Sequence, residues 1–262
     1  MSELLQSIEA RGVATLTLNR PGRHNAFDDA LVGRLTAALH ALGDRADVRV
    51  VVLRGAGKSF CAGGDIDWMK RLGTATDEAN LADAEALASL FLTLDRLSKP
   101  TIAYVHGAAF GGGVGLVACC DIAIATEDAR FCLSEAGLGV IPAAVGPYVL
   151  RAMSARATRR LMLTAEVFAA QAAKELGLVH EVVSDAEGSA ECDRLIDALL
   201  ACAPGAQREI KSLLAYCDAH PIGEELARET ARRLAEKRAS QEGREGLSAF
   251  IEKRAPKWRS GP

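Results

Sequence analysis

A carboxylate twenty residues beyond a glycine-rich turn carries the most chemical content in this 262-residue chain: Ala108-Ala-Phe-Gly111-Gly112-Gly113-Val-Gly115-Leu116, and then Glu135. Glycine has no Cβ, so a ligand oxygen can approach its backbone closely. The N–H groups of a first helical turn lack intrahelical acceptors and lie at the positive end of the helix dipole. A site of that kind holds the negative charge that develops on a carbonyl oxygen. Taken alone, the triplet reads equally well as a turn. Glu135 follows the strand-like Phe131-Cys-Leu-Ser134. A carboxylate at a strand end facing a cleft exchanges protons with a substrate when desolvation lifts its pKa toward neutrality. A second glycine turn, Phe60-Cys61-Ala62-Gly63-Gly64-Asp65-Ile66, comes after the β-branched run Val48–Arg54. Two strand–turn–helix units can present one N–H each to a single oxygen.

Other reactive residue types fit less well. Cys61 neighbours the second glycine turn and is the cysteine best placed to act as a nucleophile. The seven cysteines form no C-x-x-C pair, and most have apolar neighbours. That pattern suggests reduced thiols in the cytoplasm. His106 beside the glycine turn reads as a structural histidine. No G-x-S-x-G elbow surrounds Ser134, which argues against a serine hydrolase. The five histidines are dispersed and pair with no Cys or carboxylate at ligand spacing, so no metal site is expected. Asn25 reads as a turn-former, since Asn bonds readily to nearby backbone.

The elements that position these residues follow from periodicity. Val13–Leu18 alternates, with Ala14, Leu16 and Leu18 on one face. Asp28 or Asp29 caps a helix carrying Leu31, Leu35, Ala38, Leu39 and Leu42. Thr76–Leu97 reads as a helix with Leu81, Ala84, Leu87, Phe91 and Leu94 on one stripe. Further strands are expected at Pro100–Gly107, Asp121–Ala125, Arg130–Leu133 and Leu178–Val183. The polar stretch Lys70–Ala79 reads as a mobile loop beside the site or as a plain connection between helices. Recurrent strand-then-helix order indicates an α/β core. After Ala186 four helices follow, Glu187–Cys202, Gly205–Ala219, Gly223–Ser240 and Gly243–Arg254, broken by Pro204, Pro221 and Gly243. The expected division is a core over residues 1–186 and a helical region over residues 187–262.

Composition sets limits. A chain that is 49% hydrophobic can bury a large core. Its net charge of −3 argues against a dedicated nucleic-acid binder. From Gly205 onward, 12 Lys and Arg stand against 9 Asp and Glu, which leaves 19 against 25 elsewhere. That mildly basic tail suits a polyanionic ligand or a solvated helix surface. No apolar run approaches the roughly twenty residues a membrane span requires, so no membrane partner is expected. The first residues, Met1-Ser-Glu-Leu-Leu-Gln, lack the pattern of a signal peptide.

Four separated motifs share the order and spacing of a known family. Leu18-Asn19-Arg20-Pro21 leading to Asn25-Ala26, then Phe60–Ile66, then Gly107-Ala-Ala-Phe-Gly-Gly-Gly113, then Cys120-Asp-Ile-Ala-Ile-Ala125 resemble the crotonase (enoyl-CoA hydratase/isomerase) superfamily. The resemblance runs from about residue 10 to the C-terminus. It implies an α/β crotonase-like spiral of ββα turns, with a helical C-terminal region that packs homotrimers or dimers of trimers. It implies an acyl-CoA substrate and no separate cofactor. The thioester oxygen would sit between the N–H groups of Gly64 and Gly112, and Glu135 matches the second catalytic glutamate of the family's hydratases. The first of those glutamates is missing, because its position is Gly115. That glycine is expected to open space for a branched or carboxylated acyl chain and to remove a like charge from its neighbourhood. The resemblance also implies CoA contacts at Arg23, Ala62, Asp65 and Ile66, and at Phe250 and Lys253 reaching a neighbouring subunit's CoA. Trp68, Met69, Ile141 and Pro142 are candidates for the acyl-chain wall.

The segments Gly115-Leu-Val-Ala-Cys-Cys-Asp121, Phe131–Glu135, Leu163-Thr-Ala-Glu166 and Gly246–Arg254 are similar to bacterial hydratases of branched glutaconyl-CoA esters. Those act on 3-methylglutaconyl-CoA in leucine breakdown or on isohexenylglutaconyl-CoA in acyclic-terpene breakdown. A Δ3-Δ2-enoyl-CoA isomerase with Glu135 as its sole base, a thioester hydrolase and a non-catalytic acyl-CoA binder are the alternatives.

Overall fold

The computed structural model describes residues 2–259. The chain opens with an antiparallel pair, β1 (Leu4–Ile8) and β2 (Val13–Leu18). The three central residues of β1 are exposed, so it carries no alternating signature in the sequence. Helix α1 (Asp29–Asp44) is capped by Asp28, whose Oδ1 accepts from the Leu31 N–H at 2.8 Å. It buries Leu31, Val32, Leu35, Leu39 and Leu42 on one stripe, and β3 (Val50–Gly55) follows.

Two helices stand between β3 and the next strand, α2 (Ile66–Leu72) and α3 (Asp77–Asp95). Then come β4 (Thr101–Val105), β5 (Ala108–Phe110) and α4 (Gly112–Cys119). The next turn holds β6 (Ile122–Thr126), β7 (Arg130–Cys132), α5 (Gly146–Ala152) and α6 (Ala155–Thr164). It closes with β8 (Phe168–Ala169), α7 (Ala170–Glu175) and β9 (Glu181–Val183). The expected strand over Leu178–Val183 is shorter, because Leu178 and Val179 turn into the core before pairing begins.

The strands form two sheets. One has the order β1-β2-β3-β4-β6-β9, parallel from β2 onward, and the other the order β5-β7-β8. Corresponding residues form a rung across each. Leu16, Leu53, Ala103 and Ala123 are in register in the large sheet. Cys61, Ala109, Phe131 and Phe168 are in register in the small one. Each strand–strand–helix turn therefore climbs one step in both sheets, which is the spiral of ββα turns. The chain passes from β4 to β5 at Gly107, where φ is +56° and a Cβ would lie 2.0 Å from the Lys58 carbonyl oxygen.

Four α-helices follow, α8 (Asp185–Leu200), α9 (Pro204–Ala219), α10 (Glu224–Ala239) and α11 (Gln241–Ile251), and a short 3-10 turn, Lys257–Arg259, ends the described residues. The α10–α11 break falls at Ser240, which caps α11, and Gly243 lies inside that helix. Helix α8 packs on the large sheet, burying Cys192 and Ile196 with Val13, Val50, Val52, Ile102, Tyr104 and Ile124. Its close approach requires Gly188, since a Cβ there would meet the Tyr104 hydroxyl at 2.1 Å. Helices α9–α11 bury only Gln207, Leu226 and Ala249. The last three residues of the helical region, 260–262, and Met1 lie outside the described residues. Among the described residues no helix is long and apolar enough to cross a membrane.

Candidate active site

The first glycine turn is built by residues far apart in sequence. Asn25 is fully buried. Its Oδ1 accepts from the Arg20 N–H at 2.8 Å, and its Nδ2 donates to the carbonyls of Ala56 at 2.8 Å and Ser59 at 2.7 Å. That clasp fixes the loop after β3, so Asn25 is structural. Phe27 then bridges the turn, donating to the Gly63 carbonyl and accepting from the Asp65 N–H, both at 2.7 Å. Alternation along an extended segment leaves the Gly64 N–H facing the opposite side.

The second turn is locked by close approach. Gly111 has φ +50° immediately before α4 and donates its N–H to the Cys132 carbonyl at 2.8 Å. Gly112 is the first residue of α4, so its N–H has no intrahelical acceptor. A Cβ on Gly112 would lie 2.6 Å from Cε2 of Phe27, and one on Gly113 would lie 2.4 Å from the Cys61 carbonyl oxygen. The triplet is required by packing.

The two turns and the carboxylate converge. The Cβ position of Gly63 is 3.9 Å from the Gly111 Cα, and that of Gly111 is 3.2 Å from Oε1 of Glu135. Glu135 sits in a short 3-10 turn, Ser134–Leu138, just past β7. Its Oε2 is buried and has no hydrogen-bond partner. Burial pushes its carboxyl above the ordinary carboxylate value, opposed only by a backbone hydrogen bond. A half-buried carboxylate with one unpartnered oxygen and a raised pKa beside two glycine turns is equipped for proton transfer.

Gly115 does not open space, contrary to the expectation from its missing side chain. A Cβ there would meet Cγ1 of Val145 at 2.3 Å and Cε1 of Phe91 at 2.8 Å. Both residues are buried. The volume a second glutamate would need is filled by a phenyl ring and an isopropyl group. Gly115 belongs to the core of α4 rather than to an acyl pocket. Phe91 and Val145 are the residues sequence reasoning missed here; Phe91 lay on the apolar stripe of α3, and no signal linked either to Gly115.

The other candidate residues divide. Trp68 and Met69 flank Gly64: from its Cβ position, Cγ of Met69 is 3.4 Å away and Cε3 of Trp68 is 3.6 Å away. Ile141 is 77% exposed and Pro142 half-buried, in a loop tied back by the Val140 N–H to the Glu135 carbonyl at 3.1 Å. Asp65 does not present a free carboxylate. It is buried, accepts from the Asp67 and Trp68 N–H groups as the cap of α2, and pairs with Arg20 at 3.1 Å. Arg23 is half-exposed and engaged with Asp67 at 2.8 Å and Asp65 at 3.6 Å, so a phosphate there would compete with two carboxylates. Ile66 is exposed, and the Ala62 N–H is taken by the His24 carbonyl at 3.0 Å. Phe250, 82% exposed, lies near the end of α11 and Lys253 just beyond it, and α11 packs chiefly on α10.

Neither thiol nor imidazole competes with Glu135. Cys61 is buried, and that burial pushes its thiol up to about 12, so it carries no thiolate near neutrality. His106 Nε2 bonds the Gly57 carbonyl at 2.9 Å. Among the described residues no three His, Cys, Asp or Glu side chains gather as a metal site requires. A groove of about 930 Å³ between the end of α4 and helices α9 and α10 includes none of Gly64, Gly112 or Glu135. Among the cations lining it, Arg151 and Lys211 are paired with Asp95 and Asp121.

Comparison with known proteins agrees with this geometry. Residues 9–261 match the family model described as enoyl-CoA hydratase/isomerase. A putative enoyl-CoA hydratase of Thermus thermophilus is 34% identical over 251 residues, covering 96% of this chain and 99% of that protein. The 2,3-dehydroadipyl-CoA hydratase of Escherichia coli is 34% identical over 258 residues, covering 98% of each. The crystal structure of an enoyl-CoA hydratase from Shewanella pealeana superposes with a TM-score of 0.95 at 44% identity, covering 98% of this chain and 96% of that one.

Proposed function

The chain belongs to the enoyl-CoA hydratase/isomerase family and is an enzyme of the hydratase type; from that premise we propose that it hydrates a branched glutaconyl-CoA with Glu135 as its only acid–base side chain. The observation that carries the reading is the orphaned Oε2 of Glu135, whose Oε1 lies beside Gly111, with Phe91 and Val145 filling the place of any second carboxylate.

The chemistry follows from those groups. The thioester oxygen accepts from the Gly64 and Gly112 N–H groups. The Glu135 carboxylate removes one proton from a water, whose oxygen bonds to C3 as the C2=C3 π pair moves toward the thioester. The enolate oxygen is held by the two N–H groups, each contributing about 3 kcal/mol by the precedent of other oxyanion holes. The Glu135 carboxylic acid then returns that proton to C2. One water supplies both the hydroxyl and the proton, both delivered to the face Glu135 occupies, and Glu135 ends as it began. No metal or separate cofactor enters the sequence, and CoA is part of the substrate.

Two features support a carboxylated acyl chain. The Escherichia coli relative is named for a dicarboxylic acyl-CoA. With no second glutamate in the site, an anionic chain meets one like charge fewer. Exposed Met69, Leu138, Val140 and Ile141 supply apolar surface for a branch. The candidates are 3-methylglutaconyl-CoA and isohexenylglutaconyl-CoA, in leucine or acyclic-terpene catabolism in the cytoplasm. The exposed Leu247, Phe250 and Ile251 face of α11 supports assembly as a homotrimer or a dimer of trimers.

A Δ3-Δ2-isomerase is the second reading, because one base suffices to move a proton between C4 and C2. A panel of crotonyl-, 3-methylcrotonyl-, 3-methylglutaconyl- and isohexenylglutaconyl-CoA, followed by loss of enoyl absorbance and by mass, tests both. Gain of one water, fastest on a glutaconyl ester, is expected. Preference for crotonyl-CoA refutes the substrate assignment. Conversion of 3-enoyl esters without water gain favours the isomerase.

A further inference from the structure

We propose that Asp83, on α3, is a positioning residue for the Gly64 N–H, acting through the indole of Trp68; the inference rests on the acyl-CoA reading of the site. The first half of α3 is poorly anchored. Its Leu81 is 61% exposed, and the helix buries nothing before Leu90. Among the described residues, one side-chain hydrogen bond joins Asp77–Ala86 to α2: Trp68 Nε1 donates to Asp83 Oδ1 at 2.8 Å.

That bond lies one step from the reacting oxygen. Trp68 is buried, and its backbone N–H donates to Asp65 Oδ1 at 3.4 Å within the cap of α2. The indole edge rests 3.6 Å from the Cβ position of Gly64, with Met69 beside it at 3.4 Å. Phe27 holds the Gly64 segment from the other side through its two bonds of 2.7 Å. Gly64 is thus clamped between the Phe27 strand and the Trp68–Met69 face. The backbone bonds fix one jaw. The other depends on a ring whose only polar side-chain tether is Asp83. An oxyanion donor must be held close to its working position before the charge develops, so slack in that jaw weakens transition-state binding more than ground-state binding. A hydrogen bond to a charged acceptor corresponds to about a tenfold or larger equilibrium shift.

The test compares Asp83→Ala with Asp83→Asn, which keeps an acceptor for the indole. Both are made in a Trp258→Phe background, so that Trp68 is the sole tryptophan. Asp83→Ala is expected to lower kcat about tenfold with KM within about twofold and to red-shift the Trp68 emission. Asp83→Asn is expected to restore both. Acetoacetyl-CoA provides a readout independent of turnover, since the fraction bound as its ultraviolet-absorbing enolate reports the oxyanion donors directly; it should fall about tenfold in Asp83→Ala. Unchanged kcat and enolate fraction in a folded Asp83→Ala protein overturn the proposal. So does an Asp83→Asn protein as impaired as Asp83→Ala. A wild-type protein that binds acetoacetyl-CoA as enolate but hydrates no ester refutes the hydratase reading and leaves this inference to the enolate measurement. A wild-type protein that binds no enolate refutes both.

Discussion

Replacing Gly115 with glutamate tests whether the missing second carboxylate leaves a vacancy or a filled core. The first atom added already meets Cγ1 of Val145 at 2.3 Å and the Phe91 ring at 2.8 and 3.0 Å. Val145 is β-branched and Phe91 is fully buried, so neither can swing aside freely. Overpacking of this kind costs about 1–3 kcal/mol. Whichever way its proton lies, the carboxyl end enters apolar surroundings with no partner, at a further cost of about 1–3 kcal/mol or more. The sum, about 2–6 kcal/mol, is a large part of the roughly 5–15 kcal/mol that holds a typical domain folded. At about 2–4 °C per kcal/mol, calorimetry should find the melting temperature lowered by about 4 °C at least and about 24 °C at most. Adding Val145→Ala removes the nearest obstructing atom, so the double mutant should melt above Gly115→Glu alone even though Val145→Ala by itself destabilises. A Gly115→Glu protein that melts within about 2 °C of wild type, half the smallest expected shift, and keeps its turnover refutes the packing argument and restores the view of Gly115 as pocket space.

Further outcomes follow from the same geometry. Glu135→Gln should lower kcat by about 10²–10⁴-fold while leaving the Kd for a CoA ester nearly unchanged, as separate kinetic and calorimetric titrations would report. The same substitution should stabilise the protein at alkaline pH: a raised folded pKa means that Glu135 favours the native state below its unfolded value and that this is lost as pH rises through the folded value, so the gain in Tm should appear above that value and vanish in acid. For wild type, the acid limb of kcat/KM should lie above the ordinary carboxylate value, and a limb at that value would deny Glu135 its role. Gly112→Ala should cost about 10²-fold in kcat, because its Cβ would press on Cε2 of Phe27 at 2.6 Å and move the N–H; if Phe27→Leu in the same chain recovers none of the loss, the contact is not the cause.

The parts of the fold legible in the sequence were those with a local cause. Asp28 caps α1 because its side chain reaches an N–H three residues on, and the stripe from Leu31 to Leu42 has nowhere else to go. The rungs through Leu16, Leu53, Ala103 and Ala123 come from continuous apolar strands that periodicity detects. Strands of two or three residues, such as β5 and β8, are too short to carry a period. The exposure of Leu81 was also hidden, because its stripe is apolar along the whole helix while only the part from Leu87 onward meets the core. Asp65 looked like a binding residue because of its motif, yet its carboxylate is committed to capping α2 and pairing with Arg20.

The candidate site divides along the same line. The approach of the two glycine turns to Glu135 was readable because glycines that admit a close backbone approach are themselves the sequence signal, and burial there raises the carboxyl pKa. Gly115 misled for the converse reason. A missing side chain is visible in a sequence, but what fills its place is not, and interiors packed to crystal-like density are filled by default. Here the filling comes from Phe91, 24 residues earlier, and Val145, 30 residues later. Any preference for a branched or carboxylated chain therefore has to arise elsewhere. The surfaces available are the apolar rim of Met69, Leu138, Val140 and Ile141 and the single negative charge of Glu135. Charge and rim, rather than volume at Gly115, are where substrate selection should be altered.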